Sequence, residues 1–210
     1  MRVLLAGASG LVGTQVLRQL LADPRCSALV APSRRPLQLT DPRLLNPVVD
    51  FAALPPEARW WQVDAAICAL GSTMKQAGSR EAFRRIDLGY PLAIANAVRG
   101  HGCPVFALNS AAGANPAAWV FYSRIKGELE QSLRGMDFQS LTLVRPGLIG
   151  GERAERRTGE HLAGKLLGTL APVLPRAWRI NPAERIAAAL VEAALAARPG
   201  VHVVGSAALA

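Results

Sequence analysis

Tyr122 and Lys126 stand four positions apart in Tyr122-Ser123-Arg124-Ile125-Lys126, a spacing that puts both side chains on one face of a helix. Together they suit proton transfer to or from an oxygen. An isolated phenol titrates near 10 and is a poor acid–base group at neutral pH. A neighbouring ammonium stabilises the phenolate and brings it toward the working range. Ser110 comes twelve residues before the tyrosine, just after an apolar run at 104–108. A hydroxyl at such a strand end is placed to donate to a substrate oxygen and polarise a carbonyl. The set predicts hydride chemistry at a carbonyl carbon. Tyr122 is the expected acid–base residue, Lys126 its partner and a ligand for a ribose, and Ser110 the donor beside the substrate oxygen.

A hydride needs a carrier, and Gly7-Ala8-Ser9-Gly10-Leu11-Val12-Gly13 has the residue types to hold one. Its G-x-x-G-x-x-G spacing lies between a buried-strand pattern and a helical one. Gly7 suits a tight turn, Gly10 a close backbone approach to a pyrophosphate and Gly13 close helix–sheet packing. Free amides at the helix start favour the phosphates. The second strand runs into Ala31-Pro32-Ser33-Arg34-Arg35, with no acid where NAD enzymes usually hold the ribose hydroxyls. Two guanidiniums suit a 2′-phosphate, so NADP(H) is expected over NAD(H). Asp50 suits either the adenine amino group or a turn. The small residues of Ala69-Leu70-Gly71-Ser72 leave room for the nicotinamide half to pass close to backbone.

Positioning these residues requires alternating strands and helices. Strand patterns fall at 2–6, 27–31, 47–51, 64–70, 104–108 and 140–144, and helical periodicity at 14–22, 81–100 and 121–133. Pro91 either kinks the long helix or opens its main segment. This alternation predicts an α/β Rossmann-type, doubly wound, mostly parallel sheet with helices on both faces. Residues 150–179 shift to Gly, Arg and Pro, with a short helix expected near 161–170. A last helix from Pro182 to about 197 and a small strand at 201–204 close the chain. One NAD(P)-binding domain is expected over 1–210, with 1–150 as its nucleotide-binding core. Residues 148–180 would form an irregular substrate-side segment, and 181–210 would not be independent.

Hydrophobic residues make up 50% and charged residues 19%, a globular balance. The net charge is +9, but the arginines are scattered and aromatics are few, which argues against a nucleic-acid partner. No 18-residue apolar run exists, so no membrane span is expected. Three cysteines without paired ligand spacing argue against a disulfide scaffold or structural zinc. With a strand pattern directly after Met1, the expected address is the cytoplasm. Cys68 and Cys103 suit buried small hydrophobes, and His101, His161 and His202 form no ligand pattern. Arg153, Arg156 and Arg157 alternate with acids and suit a solvated face. Trp60-Trp61 suits packing or an interface. Trp119 and Phe121 suit either a pocket wall or packing on the sheet.

In this order, the glycine turn, Ser110, Tyr122 and Lys126 resemble the cofactor and catalytic motifs of the short-chain dehydrogenase/reductase superfamily, in its atypical or extended type. Within it the chain is most similar to the small TAT-interacting-protein group. That likeness runs through Val48-Val49-Asp50-Phe51, Cys68-Ala69-Leu70-Gly71-Ser72-Thr73, Lys126-Gly127-Glu128 and Arg145-Pro146-Gly147. The resemblance implies that Gly7, Ser9, Gly10, Leu11 and Val12 line the pyrophosphate turn. It places Arg34 and Arg35 on the adenosine 2′-phosphate, Asp50 on the adenine, and Leu70 and Gly71 at the middle of the dinucleotide. Pro146 and Gly147 would flank the nicotinamide. The superfamily's catalytic asparagine has only Asn96 as a nearest counterpart. The function so implied is an NADPH-binding oxidoreductase reducing a small carbonyl compound. Two other readings stay open: an NADP(H)-binding sensor acting through partners, and a sugar-nucleotide epimerase or dehydratase, against which the short C-terminal portion counts. Monomer and homodimer are both compatible with the sequence.

Overall fold

A computed structural model describes residues 1–150 and 180–210. The first strand, β1 (Arg2–Ala6), is short and apolar, and Val3 to Ala6 are fully buried. It ends at Gly7, whose φ of +92° lies where a side chain is strained. The chain turns there into α1 (Leu11–Ala22), three residues earlier than the helical periodicity begins.

The strands β2 (Ala28–Val30), β3 (Leu44–Leu45), β4 (Ala65–Cys68), β5 (Val105–Asn109) and β6 (Ser140–Arg145) follow. Next come β7 (Ile149–Gly150) and β8 (Asn181–Pro182), a separate parallel pair, and then β9 (Gly200–Gly205). The main sheet has seven strands in the order β3-β2-β1-β4-β5-β6-β9, every pairing parallel. The order reverses between β1 and β4, the switch point at which doubly wound sheets open a crevice at their carboxyl edge.

Helices cover both faces. The helices α2 (Met74–Ala77), α3 (Arg80–Arg84), α4 (Tyr90–Gly100) and α5 (Phe121–Arg134) precede β6. Then α6 (Ala183–Ala196) precedes β9, and α7 (Ser206–Leu209) follows it. On one face Val16 and Leu20 of α1 and Ile186 and Leu190 of α6 pack on Val3, Leu5 and Ile67. On the other, Ile94 and Val98 of α4 and Ile125 and Leu129 of α5 pack on Leu4, Phe106 and Leu108. Leu4 and Leu5 go to opposite cores because successive strand residues face opposite ways. Each fully buried Leu, Ile or Phe contributes about 1.5–3 kcal/mol, so these stripes hold α1 and α5 firmly at the crevice.

Three details differ from the sequence reading. The third strand is Leu44–Leu45 rather than 47–51, and Val48 makes only an isolated bridge with Ser33. Pro47 has no N–H to extend the ladder, and the Asn46 side chain bonds to the Ala31 carbonyl and Ser33 Oγ in its place. The long helix is interrupted by a π turn at Arg85–Gly89. Pro91 cannot donate to the Asp87 carbonyl four residues back, and its ring crowds that carbonyl. The wider turn, with Tyr90 N donating to the Arg85 carbonyl, accommodates it. The closing strand is a full edge strand, paired with β6 along six residues. The helix expected near 161–170 lies outside the described residues.

Candidate active site

The β1–α1 turn is built by close approach. Gly10 N donates to the Gly7 carbonyl at 2.9 Å, and Thr14 Oγ1 donates to the Gly10 carbonyl at 2.8 Å. No side chain caps α1 at Gly10, so the first-turn amides at Leu11 and Val12 have neither a capping nor an intrahelical acceptor. A Cβ on Gly7 would fall 2.7 Å from the Ala69 carbonyl carbon, and one on Gly13 only 1.9 Å from the Gly7 oxygen. The turn therefore stacks directly on the end of β4. Ser9 is exposed, while Leu11 and Gly10 are half-buried and Val12 and Gly13 buried.

On the neighbouring strand ends, Leu70 is half-buried and Gly71 exposed. A Cβ on Gly71 would meet Asp87 Oδ1 at 3.3 Å and Lys126 Nζ at 3.6 Å. Lys126 is only 3% exposed and its ammonium lies 2.9 Å from Asp87 Oδ1. Burial works against that charge, but the carboxylate of Asp87 and the nearby Tyr122 oxygen outweigh it and hold the lysine pKa above its ordinary value. Asp87 is itself fixed: its Oδ2 accepts from Ser72 N at 2.8 Å and Ser72 Oγ at 2.7 Å. Tyr122 stands in the first turn of α5, partly exposed, with its ring 5.7 Å from that of Phe83. The glycine turn, Gly71, Lys126 and Tyr122 thus belong to adjoining parts of one sheet edge. Asn109, the last residue of β5, adds a buried Oδ1 with no hydrogen-bond partner among the described residues.

Other expected residues are placed differently. Ser110 is buried and its hydroxyl donates to Glu130 Oε1 at 2.5 Å, so it is committed to α5 rather than to the crevice. Asp50 is exposed in the loop after Val48, and its Oδ1 accepts from Ala52 N at 2.9 Å, the turn role. Pro146 is buried and Gly147 half-buried, and Gly147 N donates to Asn181 Oδ1 at 2.7 Å. Asn96 is exposed on α4. The place beside Lys126 belongs to Asp87, which sequence reasoning missed. An acid within a helical stretch looks solvated until the fold brings a lysine to it. Trp61 is core, with Nε1 donating to the Pro55 carbonyl, whereas Trp119 is 99% exposed. Among the described residues no group of His, Cys, Asp or Glu is placed to hold a metal, and no helix is long and apolar enough to cross a membrane.

The three cysteines are buried and unpaired. Burial pushes the Cys68 and Cys103 thiols up to about 11 each, far from the thiolate that reacts. Native protein at neutral pH is expected to take up little of a thiol reagent within minutes, and all three cysteines are expected to react once it is unfolded. Rapid stoichiometric labelling of Cys68 in the native state would contradict this packing.

No family model matches the chain. It is 34% identical to HTATIP2 of Rattus norvegicus over 84% of this chain and 72% of that protein. It is 31% identical to the mitochondrial protein fmp52 of Emericella nidulans, over 97% of this chain and 91% of that one. Among solved structures, MoeE5 in complex with UDP-glucose and NAD superposes with a TM-score of 0.73 at 16% identity, over 98% of this chain and 76% of that one. The UDP-glucose 4-epimerase of Thermotoga maritima, with UDP-glucose, gives 0.68 at 13%, over 98% and 77%. Two expectations are overturned. The cytoplasmic address gives way, because the fungal relatives are mitochondrial proteins. The preference for NADP(H) gives way as well: the dinucleotide seen on this fold in MoeE5 is NAD. Arg34 and Arg35 are exposed side chains on the loop after β2, and solvation accounts for them without a 2′-phosphate.

Proposed function

We propose that this chain, which belongs to the family of HTATIP2 and the fungal fmp52 proteins and has the short-chain dehydrogenase/epimerase-superfamily fold, binds NAD(H) and uses it for oxidation and reduction at a hydroxyl-bearing carbon of a sugar nucleotide. The observation that carries this reading is the Lys126 ammonium, buried against Gly71 by its 2.9 Å ion pair with Asp87 and one helical turn from Tyr122. Residues fit for the dinucleotide surround it. The first-turn amides of α1 would take the phosphates, with Gly7, Gly10 and Gly13 keeping side chains out of the way. Gly71 would leave backbone bare beside the ribose, and Lys126 would donate to its hydroxyls.

Bound NAD supplies a hydride acceptor and, once reduced, a hydride donor. Tyr122 takes the proton from the sugar hydroxyl as its carbon is oxidised, and returns it on reduction. Lys126 stabilises the phenolate that Tyr122 needs for the first step, and Asp87 holds the lysine in place. The sugar nucleotide enters as the substrate class through the fold: MoeE5 is in complex with UDP-glucose and NAD, and the Thermotoga epimerase with UDP-glucose. This reading takes the place of reduction of a generic small carbonyl with Ser110 as donor, since the Ser110 hydroxyl is spent on Glu130.

The test is a titration with NAD and NADH followed by incubation with UDP-glucose and UDP-glucuronic acid, reading nicotinamide absorbance and the sugar product by NMR. Saturable NADH binding and a sugar change dependent on Tyr122 are expected. Absence of NADH binding at millimolar concentration would end the proposal. Binding without any sugar change would favour a dinucleotide sensor.

A further inference from the structure

Glu130 is buried to 2% exposure, and its two carboxylate oxygens are fully engaged. Oε1 accepts from Ser110 Oγ at 2.5 Å and from Arg145 Nε at 3.0 Å, and Oε2 accepts from Arg145 Nη2. Glu130 and its two partners thus join three elements: α5 itself, the residue after β5, and the last residue of β6. Tyr122, Lys126 and Glu130 follow one another at intervals of four, so one stripe of α5 carries all three. The Arg145 guanidinium is held further above its ordinary pKa by the hydrogen bonds to Glu130.

We infer that Glu130 is a positioning residue that clamps α5 to the carboxyl ends of β5 and β6 and so sets where Tyr122 and Lys126 meet the crevice. Apolar packing holds the helix on the sheet, but contacts such as those of Ile125, Leu129 and Leu133 are non-directional. A fork of charge-assisted hydrogen bonds is directional. It pins the helix at one point along its axis and one rotation about it, two turns from the tyrosine. The same clamp gives Ser110 its place: the hydroxyl is a bolt between β5 and α5, and its proton points at Glu130 rather than at a ligand. The inference rests on the reading of Tyr122 and Lys126 as the reactive pair.

The test compares Glu130→Gln and Arg145→Lys with the full-length wild type, at a temperature where each is folded by circular dichroism. Amide hydrogen exchange is read at residues 122–126, with α6 as internal reference, and NADH affinity by fluorescence titration. Glu130→Gln keeps the shape and one acceptor but loses the charge. It is expected to speed exchange at 122–126 by about tenfold or more with α6 unchanged, and to weaken NADH binding several-fold. Arg145→Lys keeps the charge and is expected to recover part of both. A lower melting temperature with unchanged exchange at 122–126 and unchanged NADH affinity would overturn the clamp and leave Glu130 as ordinary structure. Should the wild type bind no NADH, the proposed function fails, while the exchange pattern still decides the clamp.

Discussion

Tyr122→Phe is expected to lower sugar-nucleotide turnover about a thousand-fold while leaving NADH affinity within about twofold. The substitution removes one oxygen and keeps the ring, so the contact with Phe83 at 5.7 Å survives, as does the Lys126–Asp87 ion pair. What disappears is the atom that, in the proposed mechanism, exchanges a proton with the substrate hydroxyl. Tyr90, the chain's other tyrosine, packs on Phe51 with ring centroids 5.9 Å apart. Tyr90→Phe is the matched control and is expected to retain most activity. Because Asp87 keeps the Lys126 ammonium charged to higher pH than an ordinary lysine, the lysine does not titrate near neutrality. Any loss of rate between neutral and mildly acidic pH should therefore not come from Lys126. Retention of more than about a tenth of wild-type turnover by Tyr122→Phe would remove Tyr122 as the acid–base group.

The parts of this site that sequence made legible are those whose signal is local. Gly7, Gly10 and Gly13 sit between an apolar run and a helical period, and the Tyr122–Lys126 interval is itself a helical repeat. Each can be recognised within a dozen residues. The doubly wound, mostly parallel sheet also follows from local alternation, since strands joined by helices leave few arrangements. Long-range polar pairing was not legible. Asp87 meets Lys126 across 39 positions and Glu130 meets Ser110 across 20, and neither carboxylate differs in sequence from a solvated acid. Ser110 shows the cost of this blindness: its position at a strand end was right, but the direction of its hydroxyl depends on Glu130. The third strand failed for a different reason. Val48-Val49 has stronger β preference than Leu44-Leu45, yet Pro47 withholds an N–H from the ladder and the Asn46 side chain bonds in its stead. Cofactor preference failed because Arg34 and Arg35, read by residue type alone, look the same whether they face a phosphate or water.

Gly13→Ala is expected to destabilise the protein by on the order of 3 kcal/mol or more, although alanine is the better helix former by about 1 kcal/mol. The added Cβ would lie 1.9 Å from the Gly7 carbonyl oxygen and 2.7 Å from its carbon. Those are backbone atoms of a turn that is itself pressed against Ala69, so no side chain can swing aside. Relief requires α1 to lift from β1, which drags Val12 and Val16 out of the core they share with Val3 and Leu5. Gly89→Ala separates contact from propensity. Its Cβ would meet nothing within 4 Å, and its φ of −61° is helical, so a neutral or slightly stabilising effect is expected there. Chemical denaturation of both variants, followed by circular dichroism, reads the difference directly. If Gly13→Ala proves as stable as Gly89→Ala, the turn must yield more than its packing allows. The phosphate cradle proposed for Gly7 to Gly13 would then lose its physical basis, because a turn that accommodates a methyl group does not hold its amides at a fixed distance from a ligand.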